Sequence, residues 1–266
     1  MSYIIDYCRP QFYIYKMHNG DKMHKGAVLS LTLDADRTII LPKFYNHLIQ
    51  GFFYANVDRL LSSFLHDTGF IYEGKRFKLF TFSKIGYKLM KKEKDVLKIV
   101  PPISIHFASP FIEITDSLLN TIVKKQQVKI GDNDIFISSL HLREHKTKED
   151  MLVRCLSPIT VYRTQSGSKR FEYFSPYQEE FYNLLKSNLL SKYYLIYGKR
   201  YTDEIEIQSF KIKGLYRKKI LSLKTTLIDA WEGIFKVKAN QAMMDVIFYA
   251  GLGAKNSAGF GMVEPC

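Results

Sequence analysis

Apolar and polar residues follow two rhythms along the chain, and the rhythms alternate in a regular order. Strict alternation predicts strands, while apolar residues recurring every three to four positions predict helices. In the first half the predicted elements are a strand at 27–33, a helix from about 43, strands at 75–83 and 97–107, a helix at 111–125 and a strand at 128–142, interrupted by a turn at 131–134. Residues 39–42 lead into the first helix, with Pro42 at its entrance, and residues 84–98 form a solvated loop or hairpin. This order is βαββαβ, the ferredoxin-like pattern.

The first predicted helix contains a break. Asn56-Val57-Asp58 lies in the middle of the apolar run, and Asn and Asp favour helix caps over helix interiors. The pattern therefore predicts one helix at about 43–55 and a second at about 58–66. Gly69 fits just beyond the end of the second helix.

The same order of elements returns in the second half without any repeat of residue identities. The predicted elements are a strand at 151–162, a turn at 165–168, a helix at 176–190, strands at 205–213, 215–224 and 231–237, a helix at 241–250 and a closing strand at 259–263. The fold class is therefore expected to be α+β, with two tandem ferredoxin-like (RRM-like) domains. We expect an N-terminal extension at 1–26, a first domain at 27–145 and a second at 146–266.

Composition and charge narrow the class of partner. The 266 residues are 46% hydrophobic and carry a net charge of +13, which favours a polyanionic partner, either nucleic acid or an acidic membrane surface. No apolar run approaches the roughly 20 residues needed to cross a bilayer, and no signal peptide opens the chain. Three widely spaced cysteines predict reduced thiols in a cytoplasmic protein, and the absence of ligand spacing argues against a structural metal.

A glycine-rich stretch near the C-terminus follows the last predicted helix. Residues 251–263 have the pattern G-x-G-x5-G-F-G-x-V, with one lysine, Lys255. Backbone amides in such a loop can meet a phosphate, but glycine-rich loops also serve as tight connections. Neither standard phosphate-loop motif is present, because the loop follows a helix and lacks GxxxxGK[ST].

Several further motifs share one order with this loop. They are Gln50-Gly51-Phe52-Phe53-Tyr54, Phe64-Leu65-His66-Asp67, Lys78-Leu79-Phe80-Thr81-Phe82-Ser83, Ser157-Pro158-Ile159, and the helix 176–190 followed by Lys192-Tyr193. Together they resemble the RAMP proteins of CRISPR systems, and among them the endoribonucleases that process CRISPR repeat RNA, the sixth Cas family. The resemblance covers about residues 27–264.

The resemblance implies a metal-independent endoribonuclease that needs no cofactor and matures guide RNAs by cutting CRISPR repeat RNA within precursor CRISPR RNA. By motif it carries the family's active residues to Tyr54, His66 and Lys78. We assign His66 as general acid, Tyr54 as base or as a group that orients the 2′-hydroxyl, and Lys78 as the stabiliser of phosphate charge. The expected products are a 2′,3′-cyclic phosphate and a 5′-hydroxyl.

Structural roles remain open for each of these residues. Without the resemblance, the pattern predicts that Tyr54 belongs to the hydrophobic core, that His66 lies at a helix end and that Lys78 is a solvated residue on a strand. His47 is the competing histidine, while His141 and His145 read as contacts to RNA or solvent. On one straight helix Tyr54 and His66 would lie about 18 Å apart, so the proposed chemistry requires the break.

The basic residues indicate where RNA binds. Residues 211–238 hold eight basic and two acidic residues, and a basic hairpin of the second domain contacts the repeat in related proteins. The predicted RNA-binding residues are Lys211, Lys213, Arg217, Lys218, Lys219, Lys224, Lys255, Gly253, Gly259 and Gly261. The alternative for the hairpin is a solvated edge blunted by lysines.

Two other functions stay open. One is a non-catalytic RNA-binding RAMP subunit of a multisubunit CRISPR effector complex, and the other is a general basic nucleic-acid-binding protein. The sequence leaves open whether the protein forms a homodimer, and it does not define the repeat or the cleavage position.

Overall fold

The computed structural model describes residues 26–125, 127–145, 147–164, 171–220 and 226–266, with residues 215–220 and 226 described by their backbone alone. Residues 1–25 of the expected extension and the expected turn at 165–168 lie outside these ranges. Within the described ranges, no helix is long and apolar enough to cross a membrane.

Each half combines helices with strands of an antiparallel sheet, so the expected α+β class is confirmed. The strands are β1 (Ala27–Asp34), β2 (Ile39–Pro42), β3 (Phe70–Tyr72), β4 (Lys75–Phe77), β5 (Thr81–Phe82), β6 (Gly86–Glu93), β7 (Val96–Ser109), β8 (Gln127–Ile130), β9 (Asn133–Arg143), β10 (Asp150–Cys155), β11 (Tyr162–Thr164), β12 (Phe171–Tyr173), β13 (Glu206–Ile220), β14 (Thr226–Lys238) and β15 (Val263–Pro265). The helices are α1 (Asn46–Ala55), α2 (Arg59–Ser63), α3 (Ile112–Lys125), α4 (Glu179–Tyr197) and α5 (Gln241–Ala250). A π-helical turn (Phe64–Thr68) continues α2, and a 3-10 turn covers Asn256–Ala258.

Two antiparallel sheets form the frame. The first has the order β2-β7-β1-β9-β8, and β5 and β6 also pair with β7. The second has the order β13-β14-β10-β15, and β3-β4 and β11-β12 form separate two-stranded hairpins. Strand β1 thus lies between β7 and β9, and β10 lies between β14 and β15.

One continuous apolar core joins the two sheets. Helix α3 packs on β1 and β7, while α5 packs against α4, β7 and β15. Glu264 on β15 ties the halves at the surface, because its carboxylate accepts a hydrogen bond from Arg154 Nε at 2.8 Å and pairs with Arg143 at 3.5 Å. The glycine-rich loop between α5 and β15 is therefore anchored at both ends.

The expected strand at 75–83 is wrong in one respect, because the chain breaks within it. Strand β4 ends at Phe77 and pairs with β3, whereas β5 begins at Thr81 and pairs with β7. Between them Leu79 adopts a left-handed φ of 50°. The two ends of the segment pair with different strands, and the kink at Leu79 allows both pairings.

Other expected boundaries differ as well; the helix expected at 176–190, for example, runs from Glu179 to Tyr197. Residues 39–42 form strand β2 rather than a helix entrance, since Pro42 pairs with Val96. Strand β10 stops at Cys155, shortly before Pro158, which has no N–H to donate. Gly214 does not end a strand, because β13 runs through it with a register shift. The closing strand begins only at Val263, after the glycine-rich loop.

Candidate active site

The expected helix break is confirmed, and it brings two of the candidate residues together. Asp58 caps α2 through its carboxylate, which accepts the backbone N–H groups of Leu60 at 2.9 Å and Leu61 at 3.3 Å. Asn56 uses its amide to donate to the Phe52 carbonyl at 2.8 Å. The chain turns back at this point, and the rings of Tyr54 and His66 meet edge to face with centroids 5.6 Å apart.

His66 lies on the π-helical turn, a conformation that often occurs at functional sites. Its side chain is 72% exposed, and its Nδ1 lies 2.7 Å from the Asp67 carboxylate. An ionised carboxylate only accepts hydrogen bonds, so Nδ1 carries a hydrogen in this pair. Nε2 has no hydrogen-bond partner within the described ranges and is the nitrogen open to a substrate.

Two basic residues, one within β4 and one directly after it, hold the turn that carries His66. Lys78 Nζ donates to the His66 carbonyl at 2.6 Å, and Arg76 donates to the Asp67 carbonyl at 3.0 Å. Gly69 closes the turn with φ +64°, where an added Cβ would come 2.6 Å from the Phe77 carbonyl oxygen. The structure therefore places Tyr54, His66 and Lys78 in one cluster, which we call the His66 cluster.

Burial changes the acidity of two members of the His66 cluster. Tyr54 is half-buried and packs edge to face on Phe80, and burial raises the pKa of its hydroxyl to about 12, against a smaller opposing effect of the hydrogen bond with Gln50. Partial burial lowers the pKa of Lys78, Arg76 lowers it further, and Asp67 acts in the opposite direction. Tyr54 is therefore protonated throughout the neutral range.

The glycine-rich loop has the backbone that its sequence suggests. Gly251, Gly253, Gly259 and Gly261 all have φ between 69° and 83°. A Cβ on Gly253 would come 2.5 Å from the Thr160 carbonyl oxygen, and one on Gly261 would fall on the Leu252 carbonyl oxygen. All four glycines are buried, so close backbone packing requires them.

A buried lysine that sequence reasoning did not single out holds this loop from beneath. Lys192 on α4 is 2% exposed, and its Nζ donates to the carbonyls of Gly251 at 2.6 Å and Gly253 at 3.0 Å and to Asn256 Oδ1 at 2.8 Å. Burial lowers its pKa to about 7. Only the protonated amine has three N–H groups for these three acceptors, so the charged form is the one that fastens the loop.

Asn256 completes the inside of the loop. Its Nδ2 donates to the carbonyls of Leu252 and Phe260, both at 3.0 Å. This one side chain thus links the two sides of the loop, while its Oδ1 accepts a hydrogen bond from Lys192. From the first half, Thr81 donates to the Phe260 carbonyl at 3.1 Å and Asn46 to the Ala258 carbonyl at 2.8 Å.

The outer side of the loop faces Lys78. A cleft of about 310 Å³ has Arg76 and Lys78 on one wall and Lys255, Asn256 and Ser257 on another. Lys255 is half-buried, with its Nζ 4.8 Å from the ring centroid of Tyr162 and 4.9 Å from that of Phe171, and burial lowers its pKa. We call this space the Lys78 cleft. It joins the loop predicted at the C-terminus to the His66 cluster predicted in the first half.

Two of the other predicted RNA-binding residues, Lys211 and Lys213, do not line the Lys78 cleft. Lys211 and Lys213 are exposed on β13. Arg217, Lys218 and Lys219 belong to the same strand, but their side chains lie outside the description, as does all of Lys224.

The other histidines considered from the sequence have separate environments. His47 bonds the Phe44 carbonyl at 3.0 Å in the first turn of α1, roughly 10 Å along the helix from Tyr54. His141 is exposed on β9. His145 packs against Phe248 with ring centroids 4.7 Å apart, and burial lowers its pKa to about 4, so this ring is half-buried rather than fully open to RNA or solvent.

Comparison with known proteins supplies the family. A model described as CRISPR-associated protein Cas6, N-terminal, matches residues 40–141, and one described as CRISPR associated protein Cas6, C-terminal, matches residues 142–265. The chain belongs to the Cas6 family. The resemblance inferred from its motifs is thereby confirmed.

Relatives within the Cas6 family span nearly the whole chain. The CRISPR-associated endoribonuclease Cas6 of Pyrococcus furiosus is 28% identical over 249 residues, which cover 87% of this chain and 86% of the relative. CRISPR-associated endoribonuclease Cas6 1 of Methanocaldococcus jannaschii is 24% identical over 247 residues, with 91% and 93% covered.

Solved structures show the same fold at lower identity. The product of a Cas6-related gene from Pyrococcus furiosus superposes with a TM-score of 0.77 at 21% identity, covering 91% of this chain and 98% of that one. A RAMP protein described as binding different RNA substrates superposes with a TM-score of 0.75 at 20% identity, covering 90% and 99%. At this level of identity the likeness establishes the Cas6 fold.

Sequence reasoning missed Asp67, Arg76 and Lys192. Asp67 directly follows His66, yet adjacency does not show that a carboxylate turns back onto the ring. Arg76 lies within an alternating strand and reads as a solvated residue. Lys192 was noticed only as part of a Cas6-like motif, and a lysine on a helix is ordinarily exposed.

Proposed function

We propose that this protein is a metal-independent endoribonuclease that cuts CRISPR repeat RNA in precursor CRISPR RNA through attack by the 2′-hydroxyl, leaving a 2′,3′-cyclic phosphate and a 5′-hydroxyl. The observation that carries the proposal is the meeting of Tyr54, His66 and Lys78 beside the Lys78 cleft. The two Cas6 relatives described above are named endoribonucleases. A solved RAMP relative is described as binding different RNA substrates, which supports RNA as the substrate.

Each member of the His66 cluster has a distinct role in the proposed reaction. His66 gives a proton from Nε2 to the departing 5′-oxygen, with Nδ1 held by Asp67. Lys78 offsets the charge that builds on the phosphate. Tyr54 keeps its own proton at neutral pH and so orients the 2′-hydroxyl, whose proton passes to water at this open site.

We further infer that residues 27–145 and 146–266 are two ferredoxin-like domains. The supporting observation is the strand order β9-β1-β7 in the first sheet and β15-β10-β14-β13 in the second. Both sheets place the first strand of a βαββαβ unit between its third and last strands, which is the arrangement of this fold. The Lys78 cleft lies where these two units meet.

RNA is proposed to enter along the Lys78 cleft. Lys255 supplies a cation there, and the N–H groups of residues 255–257 start the 3-10 turn without an acceptor among the described residues, as expected for the first residues of a helix. Gly253, Gly259 and Gly261 contribute by shaping the loop, since they are buried. Exposed Lys211 and Lys213, together with Arg217, Lys218, Lys219 and Lys224, are proposed to hold RNA phosphates outside the cleft.

The direct test is cleavage of repeat RNA from the same genome in the presence of EDTA. We expect two fragments, one ending in a cyclic phosphate, and no cleavage when the nucleotide before the scissile phosphate is 2′-deoxy. A scrambled RNA of the same length and charge is the control for repeat selectivity. Tight binding without cleavage would instead identify a non-catalytic RNA-binding subunit of a CRISPR effector complex.

Replacement of Tyr54 by phenylalanine should slow cleavage by roughly tenfold, because one hydrogen bond to the 2′-hydroxyl is lost. The shape of the rate profile between pH 6 and pH 9 should not change, since a hydroxyl with a pKa of about 12 does not titrate there. Single-turnover rates across this range provide the measurement, with thermal unfolding as the check on folding. If the rate of the wild-type protein rises toward pH 9 and the rate of the variant does not, Tyr54 is the base.

A further inference from the structure

A second cavity adjoins the Lys78 cleft and has no role in the proposed chemistry. It measures about 390 Å³ and lies between β4, β11, α4 and the glycine-rich loop. Lys75, Phe77, Tyr162, Asn188 and Ala254 line both spaces. A group bound in this cavity is therefore the immediate neighbour of a group bound at Lys78.

The cavity combines flat apolar walls with a few hydrogen-bonding groups. Phe77 is buried and, with Tyr162, supplies aromatic surface, while Ser187, Asn188 and Thr164 supply polar atoms. Lys75 is exposed at the rim and forms no ion pair with any acid that the structure describes. A phosphate alone would not use the aromatic walls, and an aliphatic ligand would not use the polar groups. A nucleobase with its attached phosphate uses all of them.

Among the described residues that line this cavity, Asn188 is the one with a buried polar atom that lacks a partner. Its Oδ1 is shielded from solvent and has no hydrogen-bond partner among the described residues, and such an atom in a folded protein calls for an explanation. The amide torsion of asparagine is broad, so rotation about it can turn either its acceptor or its donor toward a ligand. An amide offers both on one edge, as the edge of a base does.

We propose that this cavity is a nucleobase pocket, which receives the unstacked base of a nucleotide flanking the scissile phosphodiester and reads its edge through Asn188. The proposal rests on the proposed function, because it is the Lys78 cleft that places the phosphodiester. The base lies against Phe77 and Tyr162, and Lys75 meets the adjoining phosphate. Asn188 is thus a specificity-determining residue that takes no part in proton transfer.

The test is a set of repeat RNAs with each of the four bases, and an abasic site, at the two positions flanking the cleavage point. For the wild-type protein we expect single-turnover cleavage to favour one base roughly tenfold or more at one of the two positions, and the abasic RNA to lose that advantage. Asn188→Ala should cleave the preferred and the disfavoured RNA at rates within about twofold of each other. Asn183→Ala, an exposed asparagine on the same helix, should keep the wild-type preference.

Two results would overturn the nucleobase pocket while leaving the nuclease intact. One is cleavage by the wild-type protein that is indifferent to the base and to its removal at both positions, a measurement that needs no variant to fold. The other is a folded Asn188→Ala protein with the wild-type preference. Absence of cleavage from every RNA by the wild-type protein would instead contradict the proposed function.

Discussion

Replacement of His66 by alanine is expected to slow single-turnover cleavage of repeat RNA by a factor of about 10² to 10⁴, the usual contribution of a positioned acid or base. The imidazole supplies the proton for the departing 5′-oxygen, and its neighbours are poor replacements. Lys78 already donates to the His66 carbonyl, and a Tyr54 hydroxyl with a pKa of about 12 is a weak acid at neutral pH. Stability should change by no more than about 0.5 kcal/mol, since the side chain is 72% exposed. RNA affinity should stay within a few-fold.

The matched control is His141→Ala, which removes another exposed histidine from a strand of the first sheet. It should cleave at the wild-type rate. If His66→Ala retains full activity and His47→Ala loses it, the general acid is His47, and the His66 cluster is a structural feature of the turn.

Replacement of Gly261 by alanine should lower the free energy of unfolding by more than about 4 kcal/mol. Its φ of 74° already disfavours a side chain, and the added Cβ would fall on the carbonyl oxygen of Leu252, which belongs to the backbone and cannot rotate aside. The same two residues are hydrogen-bonded, Leu252 N to Gly261 O at 2.8 Å. Relief of the clash therefore requires the backbone at Leu252 to move away from the backbone at Gly261.

Gly74→Ala separates the clash from the backbone conformation. Gly74 has a similar φ of 71°, but an added Cβ would meet nothing within 4 Å. This variant should lose only the roughly 1–2 kcal/mol expected for a left-handed alanine. Unfolding in urea, followed by circular dichroism, gives both values. Equal losses in the two variants would show that close packing of the glycine-rich loop does not matter to stability.

The helices and most strands could be predicted from the sequence because their causes are local. Asn56 and Asp58 favour caps wherever they occur, and the break between α1 and α2 follows from that preference alone. Helix α5 begins at Gln241 and ends at Ala250, as the apolar run and the following glycine indicated. Such features need no knowledge of the rest of the fold.

The features that escaped prediction depend on distant partners. The kink at Leu79 arises because β4 and β5 pair with different strands. The alternating pattern of residues 75–83 contains no signal that predicts this break. The burial of Lys192 depends on a loop about 60 residues further along, which presents three oxygens to one ammonium group. Likewise, the motif placed Tyr54, His66 and Lys78 in one site, but only the folded chain shows that Lys78 bonds the backbone of His66 itself.

Burial lowers the pKa of Lys192 to about 7, so below that pH its ammonium gives the glycine-rich loop a positive charge that dissolved ions cannot reach. Surface lysines lose most of their pull on a polyanion as ionic strength rises, whereas an enclosed charge is screened far less. The carbonyls of Gly251 and Gly253 accept hydrogen bonds from this cation. We therefore expect the positive potential of the loop to be felt at the Lys78 cleft, which residues 255–257 line with their N–H groups. Part of the affinity for a bound phosphate should therefore persist at a salt concentration that abolishes binding to exposed lysines.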